Sequence, residues 1–158
     1  MISKNPEFAE LAREVLASPD YEKIRRLPHH DASVADHSVA VAYASYRIAR
    51  RIGLRSRLPE LTRGALLHDF FHYDWHSEKP GSGGLHGFDH PKEALRNAET
   101  TFGPLSALER DCVVRHMWPL TAIPPRYPES FIVCFADKAV ALRESWNALR
   151  SGKGIGVL

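Results

Sequence analysis

The stretch Ser33-VADHSVAVAYASYRIARRI-Gly53 decides the fold class. Ser33 is a residue type that caps a helix start, and Gly53 one that ends it. Between them Val34, Val41, Ala44, Ile48 and Ile52 recur at spacings of three, four or seven, which places them on one helical face. Arg47, Arg50 and Arg51 fall in the last turns, where positive charge suits the negative end of the helix dipole. His37 lies on the same face as Val41 and Ala44, so it points toward the core.

The same grammar continues on both sides. Asn5-Pro6-Glu7 reads as a cap followed by proline in the first turn, with Phe8, Leu11 and Val15 at helical spacing. Ser18-Pro19-Asp20 repeats the signal for a short helix ending at Pro28. Further helices are expected from about Leu58 to Asp69 and from Asp89-His90-Pro91 to about Thr101. Ser106 with Glu109 forms a capping box for a helix through Trp118. A last helix runs from Pro128 to about Leu149 and carries Phe131, Phe135, Val140, Leu142 and Trp146. No alternating segment reaches strand length. The expectation is an all-α bundle of six or seven helices in one domain, residues 1–150, with a loose tail over 151–158. Residues 70–89 are the exception to compactness. They hold Gly81, Gly83, Gly84 and Gly87 among aromatics and histidines, and a long connection of this kind can fold over a site.

A chain of 158 residues with 44% hydrophobic and 25% charged content is long enough to bury a core without disulfide or metal. The longest clean apolar run, Phe131 to Ala136, is far too short to span a bilayer. A net charge of +2 gives no argument for nucleic acid or acidic membrane as partner. The N-terminal residues lack the apolar stretch of a signal peptide. Cys112 and Cys134, in apolar surroundings and with no CxxC, read as buried core thiols in a reducing compartment. The expected location is cytoplasmic.

Histidine is the anomaly. Of nine, eight lie between His29 and His90, and the ninth is His116. Any single one reads most simply as a satisfied core or surface residue. Together, His37, His68, Asp69, His90, His116 and Asp137 would place six ionisable groups at core-facing positions of different helices, and burying each is costly unless it is paired. A shared cation satisfies them all. Imidazole and carboxylate without thiolate suit Fe, Mn, Co or Zn rather than Ca or Mg. Six ligands exceed one tetrahedral zinc and suit two octahedral ions bridged by a carboxylate.

The order H…HD…H…H…D, with GALLHD at Gly64–Asp69 and Ala136-Asp137-Lys138 downstream, resembles the HD-domain superfamily of all-α, metal-dependent phosphohydrolases. The resemblance covers roughly Asp36 to Glu144. It implies a first metal held by His37, His68, Asp69 and Asp137, and a second held by His90 and His116 with Asp69 bridging. His90 is preferred to His86 because His-Pro opening a helix matches the two-metal members. The implied cofactor is a divalent transition metal, two ions of Fe or Mn, with Zn, Co or Ni as alternatives. The implied substrate is a small phosphorylated molecule, a nucleotide or other phosphoester, and homo-oligomerisation is left open. Asp69 and His72 are the expected catalytic residues, and Arg115, Arg126 and Lys138 the expected substrate contacts, with Lys79 and Lys92 as further candidates. Trp75, Trp118 and Tyr127 are candidates to stack on a base. Several two-metal hydrolases of this family carry Lys three residues after the signature Asp. Here that place is His72, as in some members that are di-iron oxygenases, so oxygenase chemistry and a non-catalytic metal-binding sensor stand as rivals. The GYP segment of cyclic-dinucleotide hydrolases is absent; His116-Met117-Trp118-Pro119 follows instead. His29 and His30, before Asp31, and His76 and His86 in the glycine-rich loop are expected at the surface.

Overall fold

The computed structural model describes residues 5–29, 32–74 and 83–150. His30, Asp31, Trp75, His76, Lys79, Gly81 and the tail 151–158 lie outside the described residues. Among the described residues there are seven helices, in chain order α1 (Pro6–Leu16), α2 (Pro19–Arg25), α3 (Val34–Arg51), α4 (Leu58–Leu67), α5 (His86–Phe102), α6 (Ala107–Arg115) and α7 (Pro128–Arg150). The fold is all-α, and among the described residues the one strand pairing is the two-residue antiparallel match of Pro28–His29 with Ala32–Ser33.

The caps are where the residue types require them. Asn5 accepts from Phe8 N, Ser18 from Asp20 N and Ser33 from Asp36 N. Ser106 and Glu109 exchange both bonds of a capping box. Gly53 takes φ +86° just past α3, a left-handed conformation that a β-carbon would strain.

The architecture centres on α4, which packs against α1, α3, α5, α6 and α7. Its LTRGALL sequence is buried nearly all round: Leu61, Ala65, Leu66 and Leu67 are fully enclosed. Gly64 permits the approach of α6, because a β-carbon there would stand 2.9 Å from Cys112 Cβ. Both cysteines are free and buried, as expected, and burial pushes the Cys112 thiol up to about 12. The chain leaves α4 at the centre of the bundle, so the residues immediately after Leu67 emerge among the surrounding helices.

Two expected helix bounds are corrected. α5 begins at His86, a turn before Asp89. Pro91 is therefore inside the helix, and the added turn is tied by His90 Nδ1 on the His86 carbonyl at 2.7 Å. α6 ends at Arg115, with His116 as its C-cap rather than Trp118 as its last residue. On α7, Phe131, Phe135, Leu142 and Trp146 point outward, and Ile132, Val133, Ala136, Asp137 and Val140 form the inward face. Among the described residues, no helix is long and apolar enough to cross a membrane.

Candidate metal centre

Five helices deliver their polar residues to one buried point. His37 sits one turn into α3. His68 and Asp69 follow the end of α4, His90 lies in the second turn of α5, His116 caps α6, and Asp137 is on the inward face of α7. All six are buried. Their ligand atoms form two groups that share Asp69. One joins His37, His68 and Asp69, the other Asp69, His90 and His116, and within each group all ligand atoms lie within 4.8 Å of one another.

On the α3–α7 side, His37 is held from both ends of its ring. Its Nε2 meets Asp137 Oδ1 at 3.1 Å and its Nδ1 meets Glu144 Oε2 at 2.9 Å. Asp137 and Glu144 are seven residues apart, two turns, and so present carboxylates on the same side of α7. Burial opposes a charge on His37, but the bonds to Asp137 and Glu144 outweigh it and push its pKa up to about 10. His68 is likewise raised against the cost of burial by Asp69 and Asp137. Its Nε2 lies 3.4 Å from Asp69 Oδ2 and 3.7 Å from Asp137 Oδ1. Burial works against ionisation of both carboxylates as well. His68, His90 and His116 nevertheless hold Asp69 well below the ordinary carboxylate range, and His37 and His68 do the same for Asp137.

The α5–α6 side is built differently. His90 Nδ1 faces the His86 carbonyl and His116 Nδ1 the Val113 carbonyl, each at 2.7 Å. His68 shares this arrangement through the Ala65 carbonyl at 2.7 Å. A carbonyl only accepts, so Nδ1 carries the hydrogen in all three rings, and in the neutral form each Nε2 presents a lone pair. His90 Nε2 and His116 Nε2 then meet at 2.9 Å, with Asp69 Oδ1 at 3.2 and 3.4 Å from them. Burial, then His68, lowers His116 to about 3, so this ring is neutral at ordinary pH.

These observations test whether a cation fits. His68 Nε2 and Asp69 Oδ1 are buried without a hydrogen-bond partner, although buried polar atoms are normally satisfied. Imidazole lone pairs aimed at a shared carboxylate, with ring orientation fixed from behind by carbonyls, are what a metal site needs. The donor set of imidazole and carboxylate fits a divalent transition metal. Each of the two buried groups is able to hold one.

The other expected site residues fall outside this point. His72 is exposed, its ring edge-on to Phe70 at 4.7 Å and its surrounding charges Lys23, Asp20 and Glu93. Arg115 is spent on Asp111 at 3.0 Å and the Pro124 carbonyl at 2.9 Å. Arg126 donates its backbone N–H to Asp111 at 2.8 Å, and its guanidinium lies over Tyr127. Lys138 is nearest: its Nζ donates to the His116 carbonyl at 2.7 Å and lies 3.8 Å from Asp137. Lys92 is at the surface with Asp89. Trp118 packs on Phe131, and Tyr127 lies under Arg57.

One participant, Glu144, escaped the sequence reading, and another, His86, was weighed as a ligand but misplaced. Glu144 was detectable from its seven-residue spacing to Asp137. His86, expected at the surface, is half-buried. It is hydrogen-bonded to the Tyr73 hydroxyl at 2.7 Å and stacked on His90 with centroids 4.4 Å apart. Its involvement follows from the earlier start of α5, which no cap residue announces.

No curated protein and no solved structure matches this chain. The family model described as HD domain does match, over residues 34–142. That span runs from the first turn of α3 into α7 and takes in every residue of both buried groups, so this chain belongs to the HD-domain family, a family of metal-dependent phosphohydrolases.

Proposed function

We propose that this protein is a two-metal phosphohydrolase acting on a nucleotide or other small phosphoester. The observation that carries the reading is Asp69, a buried carboxylate common to two buried His/Asp groups and with one oxygen that accepts no hydrogen bond. His37, His68, Asp69 and Asp137 would hold one ion, and Asp69, His90 and His116 the other, with Fe or Mn the preferred metals. When bound, such ions supply acidified water as nucleophile and neutralise the phosphoryl oxygens.

The chain's own residues prepare that chemistry. The carbonyls of Ala65, His86 and Val113 fix the tautomers of His68, His90 and His116. Glu144 orients His37 through Nδ1 and adds negative charge behind it. Asp69, ionised in its buried place, offers one oxygen toward each side. Lys138 is assigned the phosphoryl contact, which it would make by turning from the His116 carbonyl. Arg115 and Arg126 serve instead to pin residues 121–127 onto Asp111. His72 is assigned no catalytic role, because it lies on the exposed surface beside Phe70. The cytoplasmic location is proposed on the free, buried cysteines.

The test is metal analysis of anaerobically purified protein followed by a phosphatase screen. Metal-dependent phosphate release from a nucleotide, lost on chelation, is expected. Oxygen consumption without phosphate release would overturn the hydrolase reading.

A further inference from the structure

A surface helix ordinarily turns charge and polarity toward water, but α7 turns an apolar stripe there as well. Its outward residues Phe131, Phe135, Leu142, Trp146 and Leu149 are 43, 68, 72, 61 and 52% exposed. At roughly 100° per residue they fall within an arc of about 60°. They form one stripe, extended at its start by Trp118, whose ring meets Phe131 edge-on at 5.9 Å. These five side chains leave on the order of 700 Å² in water, above the roughly 300–600 Å² of a monomer's largest patch and close to the roughly 800 Å² per partner of a standard interface. Arg143 and Arg150 flank the stripe, and Lys138 is its one charged member. The Lys138 ammonium is turned aside, donating to the carbonyls of His116 and Cys134 at 2.7 and 3.4 Å. Only its aliphatic stem lies along the stripe.

We infer that α7 is a homodimer interface, in which two copies of this chain pair antiparallel along the stripe 131–135–138–142–146–149. The spacing argues for the second copy as occupant. Steps of four, three, four, four and three residues keep the stripe narrow, the seam of two packed helices rather than a wide core-facing face. The positions are also nearly symmetric about residue 140. Antiparallel pairing therefore sets Phe131 against Leu149, Lys138 against Leu142, and Phe135 against Ser145 and Trp146 of the second copy, every position being used twice as a two-fold axis requires. Parallel pairing would set Lys138 against Lys138. The inward face of α7 carries Asp137 and Glu144, so the interface lies back to back with the buried His/Asp groups and leaves them within each copy. The inference does not rest on the catalytic reading; the two share only Lys138, whose stem lies in the interface and whose ammonium faces the His116 carbonyl.

Sedimentation equilibrium of the full chain at tens of micromolar tests it. The expected mass is twice the 17.8 kDa of the chain. Phe135→Glu and Trp146→Glu should each raise the dissociation constant by at least about tenfold, with helical circular dichroism retained. If those variants unfold, Phe131→Cys and Leu149→Cys proteins mixed under mild oxidation provide the second measurement, with a 131–149 cross-linked heterodimer expected. A monomeric chain, as would follow if residues 151–158 cover the stripe, overturns the proposal. So does a dimer whose association the glutamates leave unchanged, or cross-linking that joins 131 only to 131.

Discussion

The two buried groups meet at Asp69 but are balanced by opposite means. On the α3–α7 side, imidazoles raised in pKa stand against carboxylates: His37 between Asp137 and Glu144, His68 between Asp69 and Asp137. Protons there occupy the role a cation would take. On the α5–α6 side the rings of His90 and His116 are backed by uncharged carbonyls, and Asp69 is the one carboxylate they share. The difference predicts unequal affinity. The carboxylate-rich side sits between long helices and should bind its ion tightly; the imidazole-rich side, at the ends of α5 and α6, should bind more weakly.

Asp69→Asn breaks the comparison at its common point and has the largest expected effect. It removes the one charge on the α5–α6 side and one of those on the other. Both ions should be lost under dialysis, and turnover should fall by at least about a thousandfold, at the upper end of what losing one electrostatic stabiliser costs. Metal analysis showing both ions retained would contradict the shared role of Asp69.

His90→Ala/His116→Ala separates the sides. One ion should remain, because His37, His68, Asp69 and Asp137 are untouched. Turnover should fall by about a hundredfold or more, since the clamp on the second side of the reacting oxygen is gone. Loss of both ions would show that the two sides fill as one unit.

Glu144→Gln sharpens the comparison with a smaller effect. It keeps a group near His37 Nδ1 but removes the charge behind the ring. Affinity for the first ion should weaken by about 10- to 100-fold, while affinity for the second stays unchanged in calorimetric titration. Equal weakening of both would deny that the sides are distinct.

How much of this was legible follows from what each feature depends on. The helices with a side-chain cap, α1, α2, α3 and α6, began where Asn5, Ser18, Ser33 and Ser106 indicated, because a capping bond is local chemistry. α5 has no side-chain cap at Leu85, so its first turn was missed, and with it the place of His86. His37, His68, Asp69, His90, His116 and Asp137 were readable as core-facing polar residues. Their division into two groups was not, because that depends on how α4 delivers His68-Asp69 between four other helices. The outward direction of Phe135 and Trp146 was equally hidden. Helical spacing identifies a face, and apolar residues on two faces of α7 left open which one is buried.

The smallest effect concerns the metal-free protein, where the two sides should respond to pH in opposite directions. His37 is raised in the folded state to about 10 from an ordinary 6.5. Its stabilisation is complete below 6.5 and is lost as pH rises toward 10, because the folded state there holds a proton that the unfolded chain has released. His116 is lowered to about 3 from 6.5. Its contribution is complete above 6.5 and is lost as pH falls, because the unfolded chain then takes up a proton that the buried ring refuses. Thermal melts in chelator should therefore peak near pH 6.5 and decline on both sides, and the limb between pH 5 and 6.5 precedes carboxylate titration. His116→Gln should flatten that acid limb alone, and Glu144→Gln should weaken the alkaline limb alone. Metal saturation should remove the alkaline limb, because a metal-bound His37 no longer holds the extra proton, and should steepen the acid limb, because metal-bound rings refuse protons that the unfolded chain takes up. A wild-type profile flat from pH 5 to 10, or one variant altering both limbs equally, would mean that the two sides titrate as a single coupled cluster.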